Sequence, residues 1–238
     1  MVKQVKLGDI AVDVVLKNIK NVYLSIYPPT GRVRISAPLR MGLDTIRVFA
    51  ISKISWIKKQ QNKLRGQQRE TPRDYITRES HFYLGKRYLL DVIEENAPAN
   101  VILKHEKIEL HIRPDIPTKK RQVILEEWYR CKLKEILPEM IAEWEKKMQV
   151  SVEQFGIKKM RTRWGTCNIK ARRVWLNLEL AKKPVHCLEY ILIHEMVHLL
   201  EHRHNERFKT YMDKFMPQWR AYKDELNRFP ISHTEWNY

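Results

Sequence analysis

The segment Ile191–Phe208, ILIHEMVHLLEHRHNERF, contains four histidines within eighteen residues, and many of its other positions are Ile, Leu, Met or Val. This pattern predicts a buried helix, but buried imidazole and carboxylate groups cost free energy unless they have partners. A metal ion is a suitable partner, because it takes imidazole nitrogens as ligands. The segment therefore predicts a metal site, and the question is which of the four histidines hold the ion.

His194, Glu195 and His198 match the HExxH pattern. Positions four apart on a helix lie one turn apart on the same face, so both imidazoles can reach one zinc ion at about 2.0–2.1 Å. Glu195 is rotated away from that face, which leaves it able to reach a water on the open side of the metal. The competing interpretation is a hydrogen-bonded pair of core histidines beside a structural glutamate. The apolar helix around the motif favours the metal site.

A catalytic zinc ion usually has three protein ligands and one open position. His202 lies eight residues beyond His194, about 12 Å along a helix at 1.5 Å per residue, which is too far for one shared ion. His204 follows His198 by six residues, as in the longer pattern HExxHxxGxxH, and is the favoured third ligand. Glu201 stands where that pattern has glycine, so the turn must be built differently. The alternatives are acidic residues of the final helices: Glu206, Asp213 and Glu225.

Composition favours a soluble, intracellular protein. The chain has 238 residues, 43% of them hydrophobic, which is enough for one large domain or two small ones with a core. Three cysteines without a CxxC pattern argue against a disulfide scaffold and fit a reducing cytoplasm. The N-terminus lacks the apolar region of a secretory signal, and no apolar run is long enough to span a membrane.

The formal net charge is +17, with basic residues spread along the whole chain. Such a charge attracts polyanions, so nucleic acid is a candidate partner. The competing interpretation is a lysine-rich surface that maintains solubility, since no basic tail or RNA-binding aromatic motif is visible. The sequence also shows no internal repeat.

The order of predicted elements indicates an α+β fold. Residues 1–79 are expected to form an N-terminal, β-rich region with one helix, Asp44–Leu64, and a polar linker over residues 66–79. Residues 80–238 are expected to form the second domain. Its predicted elements are two strand pairs, a long helix Thr118–Gln149, three short strands, a helix from Pro184 to about Glu201, and a helical region Glu206–Asn227 interrupted near Pro217.

Several motifs resemble those of the YgjP-like metal-dependent hydrolase family, which is close in pattern to the SprT-like zinc peptidases. They are RWGTC (Arg163–Cys167), LN (Leu176 and Asn177), HEMVH, and His204 followed by Phe208. Thr166 stands where the family usually has serine. A GRV turn, an AP pair and a helix with Trp56-Ile57 extend the likeness into the N-terminal region. The resemblance implies a zincin-like peptidase fold, with the HExxH helix packed on a small sheet, and zinc at HExxH…H.

The expected function is that of a zinc-dependent metallopeptidase cleaving peptide bonds of a protein or peptide substrate. Glu195 is the expected general base, acting on a water activated by the metal. The developing oxyanion needs a further hydrogen-bond donor, for which Arg163, Tyr211 and Tyr222 are candidates. Cys167 as a fourth, silencing ligand is a less favoured interpretation.

Two other functions stay open. One is a basic, nucleic-acid-associated protein in which the metal site is structural or acts on DNA-bound proteins. The other is a hydrolase of a small amide or another non-protein bond. The strand VWLNLEL, residues 174–180, is either an edge strand that pairs with an extended peptide or an ordinary core strand.

Overall fold

The structure is a computed structural model, and it describes residues 2–27, 30–66, 73–160 and 163–229. The chain divides into two compact units, Met1–Arg69 and Glu70–Tyr238. Residues 67–72 of the predicted linker lie outside the described residues. Residues 73–79 belong to the second unit, in which the Glu79 carboxylate accepts hydrogen bonds from the backbone N–H groups of Asp74 and Tyr75.

The first unit is a four-stranded sheet with two helices on one face. Its strand order is β1-β2-β4-β3, in which β2 and β4 are parallel and the two outer pairs are antiparallel. Alternate apolar side chains, including Val12, Val14, Val33 and Ile35, pack with the helices into one core. The elements are β1 Val2–Leu7, β2 Ile10–Lys17, β3 Tyr23–Tyr27, β4 Arg32–Pro38, α1 Leu43–Ser52 and α2 Ile54–Gly66.

The prediction of one continuous helix over Asp44–Leu64 is wrong, because the helix is interrupted at Lys53. Lys53 leaves helical geometry with φ −107° and ψ 4°. The hydroxyl of Ser52 donates to the carbonyl of Phe49 at 2.7 Å. Serine side chains that bond to the backbone in this way compete with the helical hydrogen bonds, and they tend to bend or end a helix.

The second unit begins with a sheet that repeats the strand order of the first. Its order is β5-β6-β8-β7, again with a parallel central pair and antiparallel outer pairs, and a helix again follows the fourth strand. Pro138 lies inside that helix without dividing it. The elements are β5 Ser80–Tyr83, β6 Lys86–Glu94, β7 Asn100–Leu103, β8 Lys107–Ile112 and α3 Thr118–Met148.

A second, three-stranded sheet and three helices complete this unit. Helix α4 packs against β10 and β11 and also contacts α5 and α6. It ends at Val197, earlier than the predicted Glu201, while the predicted break near Pro217 falls between α5 and α6. The elements are β9 Gln154–Lys158, β10 Gly165–Asn168, β11 Arg173–Asn177, a 3-10 helix Leu178–Lys182, α4 Val185–Val197, α5 Glu206–Phe215 and α6 Trp219–Arg228.

The edge-strand interpretation of residues 174–180 is wrong. The sheet order is β10-β11-β9, so β11 is the central strand and pairs on both sides. Residues after Asn177 form the 3-10 helix instead of extending the strand. The strand with an unpaired side next to α4 is β10, as far as the described residues show.

The architecture is therefore α+β. The described residues form six α-helices and three small mixed sheets, each of which contains both parallel and antiparallel strand pairs. None of the helices within the described residues has both the length and the apolar character needed to cross a membrane.

Asn177 connects the end of β11 to the segment that enters β10. Its side-chain amide donates to the carbonyls of Met160 and Arg163 at 2.9 and 2.7 Å, and its oxygen accepts from the backbone N–H of Glu179. The side chain is buried, so these hydrogen bonds are not replaced by bonds to water when the side chain is removed from its partners inside the fold.

Asn177→Ala is expected to lower the free energy of unfolding by about 2–3 kcal/mol, because two carbonyls lose their donor and the N–H of the buried Glu179 loses its acceptor. Urea unfolding followed by tryptophan fluorescence measures this. The matched control is Asn168→Ala, an exposed turn residue whose oxygen accepts from the N–H of Ala171, with an expected loss below about 1 kcal/mol. An equal loss in the two variants would contradict the role assigned to Asn177.

Candidate metal centre

Three imidazoles converge where helix α4 ends. His194 lies in the last turn of α4, His198 is the residue that caps it, and His204 lies in the loop before α5. The ligand nitrogens of the three rings lie within 4.8 Å of one another. The Nε2 atoms of His194 and His204 are 3.0 Å apart. These are the three histidines that sequence spacing selects, and the chain brings all of them together.

The turn that returns His204 to the helix is built without a glycine. At the end of α4 the backbone tightens, with the N–H groups of Leu199 and Leu200 donating to the carbonyls three residues earlier. The carbonyl of Glu201 accepts a hydrogen bond from Nδ1 of His198 at 3.2 Å. Glu201 does not have a positive φ, so its backbone conformation does not require glycine.

Two further residues fix the position of His204. The side chain of Asn205 caps α5 by accepting from the backbone N–H of Phe208 at 2.9 Å, which sets where the loop ends and the helix begins. The ring of Phe208 is buried, with its centroid 4.9, 4.9 and 4.7 Å from those of His194, His198 and His204. Phe208 therefore supports all three imidazoles at once.

The histidine tautomer follows from one hydrogen bond. A carbonyl oxygen can only accept, so the bond to Glu201 requires the proton of His198 on Nδ1 and leaves the Nε2 lone pair available. Burial lowers the pKa of His194 to about 3, and His198, His204 and Lys223 act in the same direction. Burial also lowers the pKa of His198. Neutral rings are the form in which imidazole binds a metal.

The donor set fits a divalent cation. Two nitrogens bound tetrahedrally to one ion at about 2.0–2.1 Å lie roughly 3.3–3.4 Å apart, close to the Nε2 separation of His194 and His204. Without an ion, this approach brings two acceptor lone pairs together or requires one ring to carry its proton on Nε2. In addition, Nδ1 of His194 is buried without a hydrogen-bond partner within the described structure.

Glu195 lies beside the three histidines and is buried. Burial raises the pKa of its carboxyl group to about 7, an effect that the nearby Arg163 guanidinium opposes. Gly165 of β10 packs directly against it, since a Cβ at this position would stand 2.7 Å from both Cγ and Oε1 of Glu195. The absence of a side chain at residue 165 is therefore what leaves room for the carboxylate.

A cavity of about 550 Å³ opens above this group. It is lined by residues 163–167 with Ile169 and by Lys223, Leu226 and Asn227 of α6. Tyr190, four residues before His194 on α4, also lines the cavity, and its ring centroid lies 6.0 Å from that of His194. The lining is thus apolar in part and includes the cationic residues Arg163 and Lys223.

Of the three candidate donors to an oxyanion, Arg163 lines the cavity. Tyr211 and Tyr222 are not among its lining residues; Tyr211 stacks on Phe215, and the hydroxyl of Tyr222 donates to Gln218. Tyr190, which also lines the cavity, is a further candidate donor that the HExxH pattern itself does not contain. Its spacing of four from His194, the same interval that relates the two motif histidines, is the signal that identifies it.

The alternative ligands lie apart from the three histidines. His202 and Cys167 line the cavity but are not members of the group of converging nitrogens, and burial raises the pKa of the Cys167 thiol to about 11. Glu206 pairs with Lys209 and Asp213 with Arg220. Glu225 accepts from His186 at 2.6 Å in a second group that includes Cys187.

Comparison with known protein families identifies a metallopeptidase domain in this chain. The family model described as YgjP-like, metallopeptidase domain matches residues 20–229. The chain therefore belongs to the YgjP-like metallopeptidase-domain family, which was the family suggested by the motifs. No curated protein matches the chain significantly. The family description implies a metal-dependent hydrolase, and three imidazoles are available to hold a divalent ion.

Alanine at His194, His198 or His204 is expected to weaken zinc binding by about 100-fold or more, since loss of even an outer-shell partner costs 10–100-fold. Competition with a fluorescent zinc chelator measures the affinity. His202→Ala is the matched control and should bind as the parent does. Cys187→Ser identifies any zinc held by the second group. Unchanged affinity in His204→Ala would move the third ligand to another residue.

Proposed function

We propose that this protein is a zinc-dependent metallopeptidase of the zincin type, in which His194, His198 and His204 hold the ion and Glu195 is the general base. The observation that carries the proposal is the convergence of three imidazoles beside a buried glutamate at one cavity. Three protein ligands with room for a fourth are typical of a catalytic zinc site, whereas structural sites are closed by four.

Zinc is the favoured ion because all three donors are imidazoles, without carboxylate oxygens in the group. When bound, zinc supplies Lewis-acid chemistry, lowering the pKa of a water and polarising the scissile carbonyl. The packing of α4 on β10 and β11 supports the zincin assignment, since it sets the HExxH residues beside an open strand.

Glu195 performs the proton transfers in this proposal. Its carboxylate accepts a proton from the water that attacks the carbonyl carbon, and it returns that proton to the amine nitrogen as the C–N bond breaks. The close packing of Gly165 against its Cγ and Oε1 holds the carboxylate in one position. A fixed base loses little entropy in the transition state.

Arg163 and Tyr190 are the candidate hydrogen-bond donors to the oxyanion that forms on the carbonyl oxygen. Both line the cavity. Arg163 lowers the pKa of Glu195, against the effect of burial. Burial raises the pKa of Tyr190 to about 12, and Glu195 adds to that increase. A tyrosine with a raised pKa stays protonated and keeps its donor at neutral pH.

The substrate class we propose is an extended peptide segment of a protein. Strand β10 lines the cavity and, within the described chain, pairs with β11 on one side only. A peptide added along its other side would pair main chain to main chain and bring one carbonyl group over the histidines. A small amide would need no such strand, which makes that alternative less suitable.

Glu195→Gln is expected to lower peptidase activity by about 10²–10⁴-fold while zinc content stays near that of the parent, because the amide cannot accept the proton. Hydrolysis of a fluorescently labelled casein, with zinc measured by mass spectrometry, tests this. Glu206→Gln is the matched control, an exposed carboxylate that should leave both quantities unchanged. Full activity in Glu195→Gln would reject the assigned base.

Gly165→Ala is expected to lower activity at least about tenfold with zinc retained, because the added Cβ displaces the Glu195 carboxylate and a small misplacement is costly to catalysis. The same assay applies. Gly42→Ala is the control, since a Cβ there meets nothing within 4 Å and its φ of −70° suits alanine. Parent-like activity in Gly165→Ala would mean that the carboxylate does not need this position.

A further inference from the structure

The positive charge of the chain is concentrated in the first unit. Residues 1–69 contain fourteen Lys and Arg and three Asp and Glu, a net charge of +11 out of the total of +17. The second unit, more than twice as long, carries the remaining +6. The catalytic proposal makes no use of this charge, so the first unit requires its own explanation.

The sheet of the first unit has one face packed and one face open. Helix α1 contacts β1 and α2 contacts β3, and they pack on the side of Val5, Leu7 and Val12. Side chains alternate along each strand, so the residues between these point to the other face. On that face, no helix of the first unit lies over the sheet within the described residues.

The open face is cationic. Lys6 and Lys17 are exposed, and Arg32 and Arg34 are half-buried at the middle of the sheet. Asp13 is the one acidic residue that the described strands place on this face, and it forms an ion pair with Arg32. The described strands therefore place four cationic side chains and one carboxylate on this face, distributed over three of its four strands.

Two tyrosines lie beside these cations on the edge strand β3. The strand register sets Tyr27 opposite Arg32, and Tyr23 opposite Ser36. Tyr23 is 55% exposed, and the guanidinium of Arg34 lies 5.3 Å from the centre of the Tyr27 ring. At about 3.4 Å per residue the two tyrosines stand roughly 13–14 Å apart along the strand, with Ser25 between them.

We propose that this open sheet face, defined by Lys6, Lys17, Tyr23, Tyr27, Arg32 and Arg34, binds single-stranded nucleic acid. The cations match a phosphate backbone, and an exposed tyrosine on a sheet offers a surface on which an unpaired base stacks. A base pair within a duplex does not present its ring face in this way, so the aromatic residues favour single strands. An acidic peptide would match the charge but would leave Tyr23 without a stacking partner.

The test uses the full-length protein and a fluorescein-labelled, single-stranded 20-nucleotide DNA, with binding followed by anisotropy over a range of salt concentrations. The double variant Lys6→Glu/Lys17→Glu is expected to bind more than about tenfold more weakly, with a slope of log affinity against log salt reduced by about 1.4, since each contact contributes about 0.7. Tyr23→Ala is expected to lose about tenfold.

Matched controls separate this face from general charge. Lys119→Glu/Lys120→Glu reverses two exposed lysines of the second unit, and Trp56→Ala removes an aromatic side chain that is 44% exposed on helix α2. Both should change affinity less than about threefold. Glu195→Gln should bind the DNA as the parent does, so a failure of the peptidase proposal would not alter this result.

Three results would overturn the proposal. Equal losses in the two charge-reversed pairs would mean that only net charge matters. Parent-like binding by Tyr23→Ala, or duplex DNA bound as tightly as the single strand, would remove the role of stacking. Displacement of the DNA by poly-glutamate at matched charge concentration would instead identify an acidic polypeptide as the preferred partner.

Discussion

The reversal of the chain between α4 and α5 is the constraint on which the proposed chemistry depends. Two histidines one turn apart on a helix supply two of the three proposed ligands. The third, His204, reaches the site only because the chain turns back after α4. Three local interactions produce that return: the bond from His198 Nδ1 to the Glu201 carbonyl, the Asn205 cap on α5, and the Phe208 ring beneath the imidazoles. The loop of residues 198–205 thereby reverses the chain without the glycine that the longer pattern HExxHxxGxxH contains.

The burial of His194 and Glu195 also determines the protonation of the metal centre. Burial keeps His194 neutral near pH 7 and raises the pKa of the Glu195 carboxyl group to about 7, so about half of that group is protonated at neutral pH. A divalent cation would favour the ionised carboxylate that a general base requires. Ion binding and activation of the base are coupled in this account, because the cation that the imidazoles bind also favours the ionised form of Glu195.

Much of the site could be predicted from sequence, since its residues are spaced by helix geometry. The HExxH interval and the six-residue step to His204 are local, and both held in space. The contribution of Lys223, Leu226 and Asn227 to the cavity could not be predicted, because it depends on how α6 packs against α4.

Several features of the fold could not be predicted from the sequence. The helix break at Lys53 is one, because a serine that bonds to the backbone does not change the apolar pattern. The central position of β11 depends on pairing with β9, which is distant in sequence. The shared strand order of the two units was invisible as a repeat, because strand order does not require similar side chains. The sequences of the two units do share a Leu-Gly pair at the first hairpin, Leu7-Gly8 and Leu84-Gly85, in which the glycine has a positive φ.

The X-ray absorption spectrum at the zinc K edge of the loaded protein tests the central claim most directly. Three imidazole nitrogens and a further light-atom donor, all at about 2.0–2.1 Å, are the predicted first shell. A sulfur scatterer at about 2.3 Å would contradict the account, since it would assign the ion to Cys167 or to the group of His186, Cys187 and Glu225.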